Sequence, residues 1–157
     1  MKNGFITLAI ILLVVFWKTG DLTYSVIKEK NQWEQQGTML AKQYAGMVKV
    51  DKVSLYHGDM RYLIAQGEND DAAKMLAWFR EEGLFEGLEY EQNLVSENQM
   101  KEKLQSQIPS NQFIRLQPGW EKGTPLWETV WKDTSGKYTY SYYDMRTGDF
   151  LRSYHLK

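Results

Sequence analysis

In a chain of 157 residues with a formal net charge of −1 and no basic run of five or more residues, nothing points to nucleic acid as a partner. The absence of cysteine excludes disulfides, thiolate catalysis and cysteine-based zinc sites, and is compatible with a bacterial extracytoplasmic location. Aromatics make up 14% of the chain, with six Trp and ten Tyr, a load suited to small cores that bury much area with few residues.

Gly4 to Trp17 is a run of fourteen apolar or near-apolar residues in which Thr7 is the one polar side chain, bounded by Lys2 and Lys18. At about 1.5 Å per helical residue it spans roughly 21 Å, or about 26 Å counted from Asn3 to Thr19 with the lysines reaching outward. That is enough to cross a hydrocarbon core of roughly 30 Å with slight thinning. A cleaved signal peptide also fits the positive start and apolar length, but Phe16 to Asp21 contains no small-x-small cleavage site. A buried core helix is the third reading, and a run with no polar face suits it poorly. The sequence therefore predicts an uncleaved signal-anchor over residues 1–21, with the rest of the chain on one side of a membrane. The lysine count (Lys2 and the terminal amine against Lys18, Lys28 and Lys30) mildly opposes an outside location. The very short N-terminal tail favours one.

Removing the anchor leaves about 135 residues, enough for one domain or two small ones. Tyr24 to Met47 reads as a helix, with Trp33, Gly37, Leu40, Tyr44 and Met47 on one face. Lys49 to Tyr56 alternates as a strand, His57-Gly58-Asp59 signals a tight turn, and Arg61 to Gln66 reads as the partner strand. Ala72 to Phe79 is helical by propensity, yet its flanking turns fit a third strand. Arg80 to Asn93, with Gly83 and Gly87 among five glutamates, reads as a connector. Ser96-Glu97-Asn98-Gln99 fits a capping box. Met100, Leu104 and Ile108 follow at spacing four, and Pro109 stops the helix. Four strand-like runs come next: Gln112 to Gln117, Pro125 to Lys132, Lys137 to Met145 and Phe150 to Leu156. Glycine-containing turns at Asp133 to Gly136 and Arg146 to Asp149 join the last three as antiparallel neighbours. Both halves run from helix to meander, so the order of elements predicts an α+β chain with a duplicated helix-on-sheet unit, over residues 22–82 and 83–157.

The segments Leu126-Trp127-Glu128-Thr129-Val130-Trp131-Lys132-Asp133 and Gly136-Lys137-Tyr138-Thr139-Tyr140-Ser141-Tyr142-Tyr143-Asp144, followed by Thr147-Gly148 and Leu151, carry a family likeness. They resemble the C-terminal signature of the YpmB-like proteins of Gram-positive bacteria, also described as TseB-like cell-wall elongation regulators. The overall plan is similar as well: a membrane anchor, a polar helix and two small cystatin-like or PepSY-like units. Over residues 1–110 the likeness is architectural only. The resemblance implies an extracytoplasmic, membrane-tethered, non-enzymatic protein linked to wall elongation through a class B penicillin-binding protein. It transfers no catalytic residue and no cofactor.

Alternation divides the aromatic strands into rows. Tyr138, Tyr140 and Tyr142 point one way, and Thr139, Ser141, Tyr143 and Met145 the other; Trp127, Thr129 and Trp131 share a face of the preceding strand. One row must cover the helix through Met100, Leu104 and Ile108. The other would lie on an open face, where a contiguous aromatic patch suggests a recognition surface as the alternative to cross-strand packing. Sequence alone does not say which row faces outward, so Trp127, Trp131, Tyr138, Tyr140, Tyr142 and Tyr143 together form the candidate partner-binding set. The two histidines, His57 and His155, and the carboxylate pairs Asp70-Asp71 and Glu81-Glu82 read as surface or connector residues. No spacing supports a metal site or a catalytic constellation. Three functions follow as expectations: regulation of wall elongation by binding a penicillin-binding protein, PepSY-type inhibition or chaperoning of a secreted protease, and binding of wall glycan by exposed aromatics.

Overall fold

A computed structural model describes residues 27–109 and 112–156. Helix α1 covers 27–44 of these. Strands β1 (Lys49–His57), β2 (Arg61–Glu68), β3 (Lys74–Arg80) and β4 (Phe85–Tyr90) form one antiparallel sheet in chain order. After a single 3₁₀ turn at Glu91–Asn93 comes helix α2 (Glu97–Gln105). Strands β5 (Phe113–Glu121), β6 (Thr124–Lys132), β7 (Tyr138–Asp144) and β8 (Phe150–His155) form a second antiparallel meander. The expected α+β duplication is present, each helix preceding its own sheet. The expected anchor over 1–21 lies outside the described residues. Among the described residues no helix is long and apolar enough to cross a membrane.

Residue 83, taken from sequence as the start of the second unit, sits in the turn between β3 and β4, and the first sheet runs on to Tyr90. The supposed connector over 80–93 thus holds an edge strand, β4, followed by the 3₁₀ turn. Its glutamates hid it, because they read as solvated charge. In the fold Glu86 pairs with Arg80, and Glu89 accepts from Arg146 Nε at 2.9 Å. Gly87 is required where the ring of Trp120 crosses the strand: a Cβ there would lie 2.5 Å from Trp120 Cη2. The ambiguous run before it resolves as β3, because tertiary burial overrides the helical propensity of Ala-Ala-Lys-Met-Leu-Ala.

The first sheet is a middle layer. Alternation along β2 and β3 sends Leu63, Ala65, Met75, Ala77 and Phe79 into the cluster beneath α1, and Tyr62, Ile64, Leu76 and Trp78 into a second cluster on the other side. Burial on both faces explains why these strands read as nearly continuous apolar runs. Against the first face, α1 sets Leu40 and Ala41, with Ala45 just past its end and Trp33 at the edge. Tyr44, expected on this face, is 55% exposed; the alanines take its place, and the chain leaves the helix at Gly46, where φ is +68°. The helix approaches closely at Gly37, where a Cβ would fall 2.5 Å from Val53 Cγ1.

The second cluster joins both halves of the chain. It combines Tyr56, Ile64, Leu76 and Trp78 of the first sheet with Met100, Leu104 and Ile108 from α2 and its exit, and Trp120, Leu126, Trp127, Tyr143 and Met145 from the second sheet and the residue after β7. The capping box that starts α2 is complete. Ser96 Oγ accepts from the Gln99 backbone N–H, and the Gln99 side chain accepts from the Ser96 N–H at 2.9 Å. Because this core is shared, the two halves should unfold as one cooperative unit. Trp78→Ala opens a cavity at its centre and should cost about 3–5 kcal/mol. Denaturant titrations followed by tryptophan fluorescence and by far-UV circular dichroism should give coincident transitions, both moved to lower denaturant in the variant.

Candidate functional site

The second sheet has two unlike faces, set by period-two alternation along β6 and β7. One lies under α2. Across it Trp127 pairs with Tyr143, Thr129 with Ser141 and Trp131 with Thr139. Trp127 is buried, and its indole Nε1–H donates to the Val95 carbonyl at 2.8 Å. Tyr143 is buried against Phe150, edge to face with ring centroids 5.6 Å apart. Trp131 is half-buried and donates to Ser141 Oγ at 3.3 Å. Trp127 and Tyr143 are therefore core residues and leave the candidate recognition surface, because α2 and the first sheet cover the face they occupy. Trp131 shares that face at its margin.

The opposite face carries the other row. Lys132 and Tyr138, Val130 and Tyr140, and Glu128 and Tyr142 are cross-strand pairs, and β8 adds Tyr154 opposite Tyr140 and Arg152 opposite Tyr142. Tyr138 and Tyr154 are exposed, and Tyr140 and Tyr142 half-buried. The guanidinium of Arg152 lies over the Tyr142 ring at 4.4 Å and over Tyr154 at 5.8 Å, while Lys132 Nζ stands 5.0 Å from the Tyr138 ring centre. Arg152 is also tied to Glu121 at the end of β5. Of the six residues proposed from sequence, Tyr138, Tyr140 and Tyr142 are thus brought together on the face opposite α2, joined by Tyr154.

Under this row lies a charged group that sequence reading passed over. Glu128, in the middle of β6, is 3% exposed. Its Oε1 accepts from Arg115 Nη2 and from Gln117 Nε2, each at 2.9 Å, both from the neighbouring strand. The signal was present: one carboxylate inside Leu-Trp-Glu-Thr-Val-Trp, a strand with apolar residues on both faces. Burial, then the negative charge of Glu128, raises the pKa of Tyr142 well above the ordinary tyrosine value. Tyr56, reaching in from β1 to pack on Gly119 and Leu126, is raised by the same two causes in the same order. Tyr62 is pushed up to about 12 by burial and by its hydrogen bond to Asp59 Oδ1 at 3.0 Å.

The residues read as surface groups sit as follows. His57 is exposed at the end of β1, and His155 Nδ1 lies 2.9 Å from Thr139 Oγ1. Glu81 pairs with Arg61 at 3.1 Å, and Asp70 and Asp71 are exposed in the β2–β3 turn. Among the described residues no group of three or more His, Asp or Glu side chains is placed to hold a metal ion. A cleft of about 280 Å³ opens at the start of α2 between Gln66, Leu76, Val95 and Trp127.

Two outcomes follow. Glu128→Ala leaves Arg115 and Gln117 without their shared acceptor and should cost roughly 1–3 kcal/mol, read from denaturant midpoints. A tyrosine whose folded pKa lies above its unfolded value of about 10 stabilises the fold fully below pH 10, and that contribution is lost as pH rises through the folded value. For Tyr62 the window is pH 10 to 12. Absorbance at 295 nm should show exposed tyrosines titrating first and the buried ones only as the melting temperature falls.

Three comparisons bear on this arrangement. Residues 36–80 match a family model described as the cell wall elongation regulator TseB-like domain, a span from the middle of α1 through β3. Over 145 residues the chain is 22% identical to the probable cell wall elongation regulator TseB of Bacillus subtilis (strain 168), covering 92% of this chain and 90% of that protein. The fold is shared with a solved structure, the YpmB protein from Bacillus subtilis, at a TM-score of 0.69 and 19% identity, covering 78% of this chain and 96% of the other. The family signature lies on β6–β8 and the family model on α1 to β3, so the two likenesses fall on different parts of the chain. Domain model and relative thus liken this chain to the TseB-like cell wall elongation regulators, and the solved structure shares its fold.

Proposed function

We propose that the protein is a membrane-anchored, extracytoplasmic and non-catalytic regulator of cell-wall elongation that acts by binding a wall-synthesis transpeptidase, a class B penicillin-binding protein. The observation that carries this is the match, over nine-tenths of both chains, to a probable cell wall elongation regulator. The apolar run from Gly4 to Trp17 supports the anchor, and the sequence resemblance supports the partner class. Anchoring would confine encounters to the membrane plane and raise the effective concentration of a membrane-bound partner without any new contact. The tyrosine face of the second sheet offers a surface for such binding. Affinity capture of the full-length protein from solubilised membranes should recover a class B penicillin-binding protein; recovery of none would end this reading. Protease added outside protoplasts should remove a tag placed after Lys157, and full protection of the tag would overturn the extracytoplasmic placement.

The exposed rings of Tyr138 and Tyr154 favour a second reading, a module that stacks on wall glycan. It predicts that the protein sediments with isolated wall material and that Tyr138→Ala with Tyr154→Ala abolishes sedimentation. Under the first reading the double variant leaves sedimentation unchanged.

A further inference from the structure

The two sheets have four edge strands: β1, β4, β5 and β8. Three are blunted in ways that discourage pairing with another chain. Strand β1 carries Lys49, Asp51 and Lys52 around a register break. Strand β4 exposes Phe85 and Tyr90 at its two ends, but carries Glu86 and Glu89 between them, both held in ion pairs. Strand β5 breaks register at its start and lies beside the first sheet, where Gly119 packs on Tyr56. Strand β8 also breaks register, at Leu151, but its one arginine, Arg152, is drawn onto the Tyr142 ring and Glu121. Phe150, Leu151 and Tyr154, with Leu156 just beyond its end, are exposed.

The register fixes which backbone groups of β8 are free. Leu156 N–H donates to the Tyr138 carbonyl, so 138 and 156 form a hydrogen-bonded pair. The ladder then alternates: Tyr140 with Tyr154 and Tyr142 with Arg152 are hydrogen-bonded pairs, while Ser141 with Ser153 and Thr139 with His155 are not. The N–H and C=O groups of Ser153 and His155 therefore point away from β7, out of the sheet edge. Donors and acceptors at strand spacing, beside exposed apolar side chains, match one kind of occupant, an extended polypeptide segment.

We infer that β8 is a strand-addition site, which takes an extended segment of another protein with apolar residues in alternation, paired through the backbone of Ser153 and His155. A second copy of this chain fits less well. Two six-residue edges about 20 Å long would bury far less than the roughly 1,200 Å² a stable assembly needs. A segment of a separate partner can pair with β8 and also cover Tyr140, Tyr142 and Tyr154 beside it. Only the partner's identity, a wall-synthesis transpeptidase, rests on the preceding proposal.

The test uses the full-length chain in membranes of cells that produce it, with the photoreactive residue p-benzoylphenylalanine in place of Leu156 and, as a control, in place of Lys52 on β1. Ser153→Ala keeps the backbone donor; Ser153→Pro removes it without touching the β7 ladder. Capture from position 156 should survive Ser153→Ala and fall about tenfold in Ser153→Pro, as expected when an edge hydrogen bond and its neighbours are lost. If the proline variant melts lower than the wild type, Phe150→Lys with Leu151→Lys decides instead, since it guards the edge with charge at exposed positions. Capture that persists in a normally melting Ser153→Pro, or in the lysine pair, overturns the site. So does capture of a second copy alone, or of a transpeptidase from position 52 and not 156, which leaves the proposed partner standing. The alanine-kept, proline-lost pattern on a membrane protein that is not a transpeptidase supports the edge and removes the partner.

Discussion

The structure depends on the contact between Trp78 of β3 and Trp120 of β5. Their rings stack with centroids 5.0 Å apart and planes 29° from parallel, one from each half of the chain. Burying two indoles contributes roughly 4–6 kcal/mol each before entropy is charged, and the stacked geometry adds about 0.5–1.5 kcal/mol. Neither indole Nε1 finds a hydrogen-bond partner among the described residues, which costs roughly 1–3 kcal/mol apiece. Burial wins, so the stack holds the halves together, though less firmly than its area suggests. Gly87 exists to admit it, since any side chain there would collide with the Trp120 ring.

Around that contact the halves lock by different means. Tyr56 fills the space over Gly119 and Leu126, where a Cβ on Gly119 would lie 2.6 Å from Tyr56 Cζ. Arg146, in the β7–β8 turn, reaches Glu89 on β4. The indole of Trp127 and the ammonium of Lys103 bond the Val95 and Gly148 carbonyls, fixing α2 between its loop and the last turn. The ion pairs are partly solvated and add little by themselves. They set orientation, while apolar contact supplies the stability. A rigid body of this kind presents its remaining open features, the tyrosine face and the β8 edge, in a fixed relation.

That fixed relation separates core from surface in the family signature. The same aromatic-rich strands serve both: Trp127 and Tyr143 hold α2, and Tyr138, Tyr140 and Tyr142 form the outer row. Beneath the outer row, Glu128 is held by Arg115 and Gln117 and flanked by tyrosines that stay protonated. A buried acid so paired is costly to form and costly to break, which makes it a device for holding β5 and β6 in register.

Much of this was legible in the residues themselves. Capping at Ser96, the glycine turns, the period-two rows of β6 and β7, and the helix-then-meander order are local patterns, and local backbone physics enforces them wherever the chain goes. The apolar run from Gly4 to Trp17 is equally local. What the tertiary structure decided is everything that depends on a distant neighbour. Strand β4 pairs because β3 offers it a ladder, despite its glutamates and glycines. Tyr44 turns outward because the alanines beside it fit the sheet more closely. Which aromatic row became surface was decided by where α2 and the first sheet landed, since alternation fixes that two faces differ but carries no information about which one a remote element will cover.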